Sequence, residues 1–236
     1  LLNSFLSLKG DKKDLFFETK IEAFEDLTKE NSSDKYQFLL PSFEISKNFN
    51  NNLSLVTNGH HKNYDTNIFE KVLINDLKYS TTPKISNKGL VSSLNLIFKN
   101  VTTESDNSSK YENKLRSHNY GSFLYDLSYP MVNSGNNFNN FFTGKASLMY
   151  SPNKNRNNQN LDRKINIQNV YSQNRLSLDD SVEGGQSLTV GTEYKITNKN
   201  NKNLFSANIA SVLRDKNENS LPSKSTINNK TSDFIG

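Results

Sequence analysis

The chain has 236 residues, a formal net charge of +5, no cysteine and no tryptophan. Its mean hydropathy of −0.74 makes the average residue hydrophilic, yet an 11% share of Phe and Tyr is too aromatic for a disordered chain. These values exclude a disulfide framework and a thiolate metal centre, and no apolar run approaches the roughly 18 residues of a membrane helix. Lysines punctuate the loops, as in Ser151-Pro152-Asn153-Lys154-Asn155-Arg156, instead of clustering on one face, which argues against nucleic-acid binding. The start at Leu1-Leu2-Asn3, without Met or a basic leader, reads as a fragment or a processed segment.

Along the chain the dominant period is two. Strands are expected over 14–25, 35–47, 52–58 and 70–80. His60-His61, after Asn58-Gly59, reads as a polar turn, and with no third ligand nearby it makes no metal site. Leu94, Leu96 and Phe98 oppose Ser93, Asn95 and Lys99; Phe123, Tyr125, Leu127 and Tyr129 oppose Ser122, Asp126 and Ser128. A strand over 144–151 follows. Loops rich in Asn, Ser, Lys and Gly are expected over 102–119, 133–140 and 152–164, because such residues bond their own backbone or tolerate left-handed conformations. Residues 161–185 lack alternation and read as an ordered loop or irregular element.

The clearest strand is 187–197. Leu188, Val190, Thr192, Tyr194 and Ile196 point one way, with Ser187, Thr189, Gly191, Glu193, Lys195 and Thr197 opposite. In 203–213, Phe205, Ala207, Ile209 and Leu213 are set against Ser206, Asn208 and Ser211. A soluble sandwich with one wet face produces such alternation. So does a transmembrane β-barrel, whose strands run about 9–11 residues, with polar loops on one side and aromatic girdles. Tyr129, Tyr150 and Tyr194 are expected toward strand ends, as a girdle requires. The barrel fits better, because sandwich strands are nearer 5–6 residues.

Ahead of the 187–197 strand runs Asn169-Val170-Tyr171-Ser172-Gln173-Asn174-Arg175-Leu176-Ser177, then Asp180 and Val182-Glu183-Gly184-Gly185, with Gly191 and Tyr194 beyond. This block resembles the Asn-Arg-Phe-Ser-Gly-x-Asp-Arg-Ile-Glu-Gly-Gly signature of the LptD family, the lipopolysaccharide-assembly or organic-solvent-tolerance proteins. Leu176 stands where Phe is usual, Leu178 for Gly, Ser181 for Arg, and Ser187 where a second Arg is usual. Those losses leave the family's ion pairing in this block without its ordinary partners. Ile21-to-Leu27 with Tyr36-to-Pro41, Lys62-to-Thr66 with Ile74-to-Leu77, the Leu127-to-Pro130 strand end and the Asn229-to-Gly236 strand start resemble further family segments in order.

The resemblance implies an all-β fold, an incomplete antiparallel transmembrane barrel in which 1–236 are middle strands of one larger domain. The periplasmic jelly-roll domain, the closing strands and the lateral gate would lie outside it. It implies an outer-membrane location in a Gram-negative bacterium and a role in inserting lipopolysaccharide into the outer leaflet. The partners would be a plug lipoprotein of the LptE type and periplasmic bridge proteins. Asn174, Arg175, Asp180, Glu183, Gly184 and Gly185 would form a structural motif in a water-filled lumen or its mouth. Leu188, Val190, Tyr194 and Ile196 would face lipid.

For the Gly184-Gly185 pair alone, a tight turn is the simpler reading, and the phosphate-loop pattern is absent. Asp179, Asp180 and Glu183 miss calcium-loop spacing, and no nucleophile elbow or zinc-protease motif occurs. No cofactor or catalytic residue is expected. Another outer-membrane barrel, porin or receptor, and a surface adhesive β domain are the alternatives that the alternation leaves open.

Overall fold

The computed structural model describes residues 1–29, 35–64 and 68–236, so Asp65 and Thr66 of the Lys62-to-Thr66 segment lie outside it. Among the described residues the strands are β1 (Leu2–Lys12), β2 (Leu15–Glu25), β3 (Tyr36–Asn48), β4 (Leu53–Tyr64) and β5 (Ile68–Ser80). A short β6 (Lys84–Ile85) follows, then β7 (Val91–Asp106), β8 (Arg116–Ser134), β9 (Phe138–Ser151), β10 (Gly185–Asn198) and β11 (Asn203–Arg214). No α-helix occurs among them; a 3-10 turn spans Thr226–Asn228. The strands form one open antiparallel sheet in chain order, β6 pairing only with β7. Hairpin follows hairpin because successive period-two segments are joined by Asn-, Ser- and Gly-rich turns.

Several elements differ from expectation. β1 was not foreseen: its apolar residues fall on both faces, so no clean period marks it. The 102–119 loop contracts to 107–115, because the Thr- and Ser-rich tail of β7 and the head of β8 are polar yet fully strand. The 133–140 loop contracts to 135–137. His60-His61 lies inside β4, not in a turn, and pairs with Val72 and Lys71. Gly59 sits there for a close approach: a Cβ would lie 2.7 Å from the Val72 carbonyl oxygen and 3.0 Å from the Phe43 ring. Pro130 pairs with Thr143 inside β8 and ends nothing. Of the three tyrosines, Tyr150 sits near a strand end, whereas Tyr129 and Tyr194 are interior.

The chain divides into two compact units. The first, Leu1–Tyr79 with Phe98–Asn119, carries charge pairs along one face. Lys9 and Lys20 both reach Glu18, and Lys99 reaches Asp76 at 3.0 Å. Across its other face runs a side-chain ladder. Thr57 donates to Asn75 at 2.9 Å, Asn75 to Asn100 at 3.4 Å, and Asn100 to Asn119 at 2.8 Å and Ser117 at 3.0 Å. The second unit, Ser80–Ile97 with Tyr120–Gly236, holds the hairpins β8–β9 and β10–β11 and the irregular segments packed on them.

Candidate functional site: an ion-paired segment under an inverted sheet

Along the first half of β10 the ordinary sense of burial is reversed, and the outward face of β8–β11 is apolar and exposed. Register places Tyr125, Leu148, Leu188 and Leu213 on one rung, and Leu124, Met149, Ser187 and Arg214 on the adjacent rung of the opposite face. The first set is exposed, Leu188 and Val190 at 38% each; on the other face Ser187 and Thr189 are 2% exposed. Hydrophobic residues of a water-soluble sheet go the other way. Tyr194 and Ile196 share the face of Leu188 and are half-buried among cross-strand neighbours. Ser211 shares this face with Ile209, opposite Val190, and not the face of Asn208 as the sequence suggested. The apolar residues Ala210 and Val212 point inward instead, because something apolar meets them there.

That something is the segment 152–184. Val170 packs with Ala210 and Val212, flanked by Ile165, Ile167, Tyr171 and Ile235. Leu176 and Leu178 join Leu221 and Ile227 in a second buried cluster. Tyr171 marks the closest approach. A Cβ on Gly191 would lie 2.2 Å from its hydroxyl and 2.3 Å from the Ile209 carbonyl oxygen, so only glycine leaves the notch it fills. Gln173 donates to the Ser122 carbonyl at 2.8 Å, tying the segment to β8.

At its end lies a buried charge node. Arg175 grips Glu183 with two bonds, Nε–Oε2 at 2.8 Å and Nη2–Oε1 at 3.0 Å. Arg214 of β11 donates to the same carboxylate through Nη1, and to the Gly184 carbonyl through Nη2 at 2.7 Å. The Arg175 guanidinium also donates to Ser187 at 2.5 Å and Thr189 at 3.2 Å on β10. All three charged side chains are at most 1% exposed. Burial alone would raise the Glu183 pKa, but the two guanidiniums overcome it and hold the carboxyl below its ordinary value. The node is buried between segment 152–184 and the inner face of β10 and β11.

The other motif residues serve the same turn. Asn174 exchanges two bonds with the Leu178 backbone, each at 2.9 Å, closing the loop that aims Arg175 inward. Asp180 pairs with Arg156 at 2.9 Å. Gly185 adopts φ +94°, and a Cβ on Gly184 would lie 2.1 Å from the Asn153 carbonyl oxygen. The segment thus meets β10 through backbone that no larger residue fits. Sequence reasoning placed Arg175 beside the carboxylates but missed Arg214, which lies at the end of β11 and joins the node through the register of β10 and β11. Ser187 accepts its bond from the Arg175 guanidinium, whereas Arg214 reaches Glu183 and the Gly184 carbonyl.

The arrangement holds chain against sheet. Among the described residues no set of His, Asp and Glu side chains could hold a metal ion. Compared with protein-family models, residues 2–236 match the one described as LPS transport system D, LptD. A comparison with curated proteins gives no match.

Proposed function

Because the chain belongs to the LptD family, we propose that it forms part of the wall of an outer-membrane β-barrel that delivers lipopolysaccharide to the outer leaflet. Residues 1–236 are then one stretch of a single barrel domain. The open sheet requires further strands, since unpaired strand edges cannot sit in hydrocarbon. A plug lipoprotein of the LptE type and periplasmic bridge proteins are the partners this reading carries with it, in the envelope of a Gram-negative bacterium.

The observation supporting it is the exposed apolar outer face of β8–β11, with burial inverted along β10. Ten residues of β10, from Gln186 opposite Tyr150 to Ile196 opposite Phe205, separate the two rows. At roughly 3.4 Å per residue and a tilt near 40°, that stretch rises about 26 Å, close to the roughly 25 Å apolar band of outer-membrane barrels. Leu188, Val190, Tyr194 and Ile196 are the lipid-facing residues of β10 in this reading. Asn174, Arg175, Asp180, Glu183, Gly184 and Gly185 hold segment 152–184 against the inner face and do not touch the substrate, whose phosphates would repel Asp180 and Glu183.

A photo-crosslinking residue at the inward Asn208, in cells making the protein, tests the transport role. Lipopolysaccharide adducts are expected. A protein that inserts into the outer membrane yet yields no adduct at any inward position is a barrel of another kind.

A further inference from the structure

The outward face of β8–β11 is not evenly filled. On β9 its middle rungs carry only Gly144 and Ala146, between the larger Tyr129 on β8 and Val190 and Ile209 on β10 and β11. Phe234, 81% exposed, stands beyond β11 on a segment that pairs with it through Ala210 and Ile235. The result is a cleft of about 580 Å³ running across the strands from Tyr129 to Phe234. That volume falls within the roughly 300–1,000 Å³ of small-ligand sites. Neighbouring strands lie about 4.8 Å apart, so a cleft crossing from β8 to beyond β11 is roughly 20 Å long.

The geometry points to a resident hydrocarbon chain: we infer that one acyl chain of a bilayer phospholipid lies in this cleft. This rests on the membrane reading above. Two observations choose the occupant. The cleft lies midway between the rungs of Tyr150 and Ile196, so at that depth its surroundings are hydrocarbon and not headgroups. Its lining holds no free charge either. The Lys145 side chain leaves the face entirely, meeting Glu193 at 2.7 Å and the Tyr171 ring on the inner side. Its lining offers a few hydroxyls, among them Thr192 and Ser211, but no free charge to hold a phosphate, and a flexible apolar chain matches its mostly apolar wall in length and chemistry. A void beside Gly144 and Ala146 would forfeit dispersion contacts that a seated chain restores.

The chain lacks tryptophan, so Phe234→Trp places a lone fluorophore on the cleft wall. The variant is refolded into vesicles of a short-chain phosphatidylcholine containing increasing fractions of a longer-chain, chain-brominated phosphatidylcholine, and quenching is followed. A held chain is preferentially the longer one, which buries at least one more methylene in the cleft, so quenching should saturate early with a roughly fourfold preference for the brominated lipid. Adding Gly144→Leu or, separately, Ala146→Leu fills the floor and should return quenching to simple proportionality with the brominated fraction. A Cβ at Gly144 meets no atom within 4 Å, so this filling leaves the sheet intact. Proportional quenching already in Phe234→Trp alone overturns the cleft inference and leaves the membrane reading standing. Quenching that weakens as protein density rises would mean that a second copy fills the cleft, and overturns it too. Absence of quenching at any fraction defeats both readings.

Discussion

Glu183 is the residue on which the inner segment depends. Removing one partner of a buried ion pair strands the others without water, typically at about 3–5 kcal/mol. Glu183→Gln leaves two guanidiniums facing a neutral amide, and should lower assembly of the folded protein by an amount in that range. Ser187→Ala, which removes one hydroxyl acceptor, should cost about 1 kcal/mol. Denaturant titration of the two variants checks the difference; equal losses would mean that the node is not the anchor. The pH response follows from the same geometry. Because the folded Glu183 pKa lies below its unfolded value, the node's contribution is complete above the ordinary carboxylate pKa, about 4.3. It disappears as pH falls beneath that through the folded value. Acid unfolding of Glu183→Gln should therefore lack this component. Gly191→Val, in turn, should displace Tyr171, read as greater protease cleavage within 152–184.

At the scale of elements, the two ends of the strands differ. Within the second unit, connections 152–184 and 215–230 lie at one end and 135–137 and 199–202 at the other, with 81–90 folded back as β6. Outer-membrane barrels keep short turns in the periplasm and long loops outside. In intact cells a cysteine at the exposed Lys216 should accordingly react with an impermeant thiol reagent and one at Asn136 should not; the reverse pattern would invert the orientation. The strand faces make a second contrast. Val190→Arg near the bilayer midplane should cost about 2–4 kcal/mol, and Asn208→Arg, inward and opposite Glu193, less than about 1. Thr189 is unsuitable as the inward control, because it is buried against Arg175 and Val170.

Over the whole molecule, strand identity was legible wherever one face was apolar, as in β10, whose bounds differ from expectation by two residues or fewer. It failed where side chains on both faces were alike, in β1 and in the polar tail of β7. The Asn58-Gly59 pair misled because the same dipeptide serves a hairpin turn or a close backbone approach, and only the neighbouring Phe43 ring decides. Of the site, the local part could be read: Arg175, Glu183 and the glycines lie within one short stretch. Arg214 could not, since its place depends on the register of a later hairpin. The inward turn of Ala210 and Val212 was hidden for the same reason, their partner Val170 being far away in sequence.

The most direct test of the central claim, that the apolar face of this sheet meets lipid and its polar face meets water, is thiol accessibility along β11. The chain has no native cysteine to interfere. Single cysteines at Phe205, Ala207 and Ile209 should resist a water-soluble maleimide when the protein is in its membrane, while those at Ser206 and Asn208 react. The pattern should vanish on unfolding in detergent and denaturant. Equal labelling of both sets in the native membrane-associated protein, or its recovery as a water-soluble species with the outward set reactive, would contradict the account.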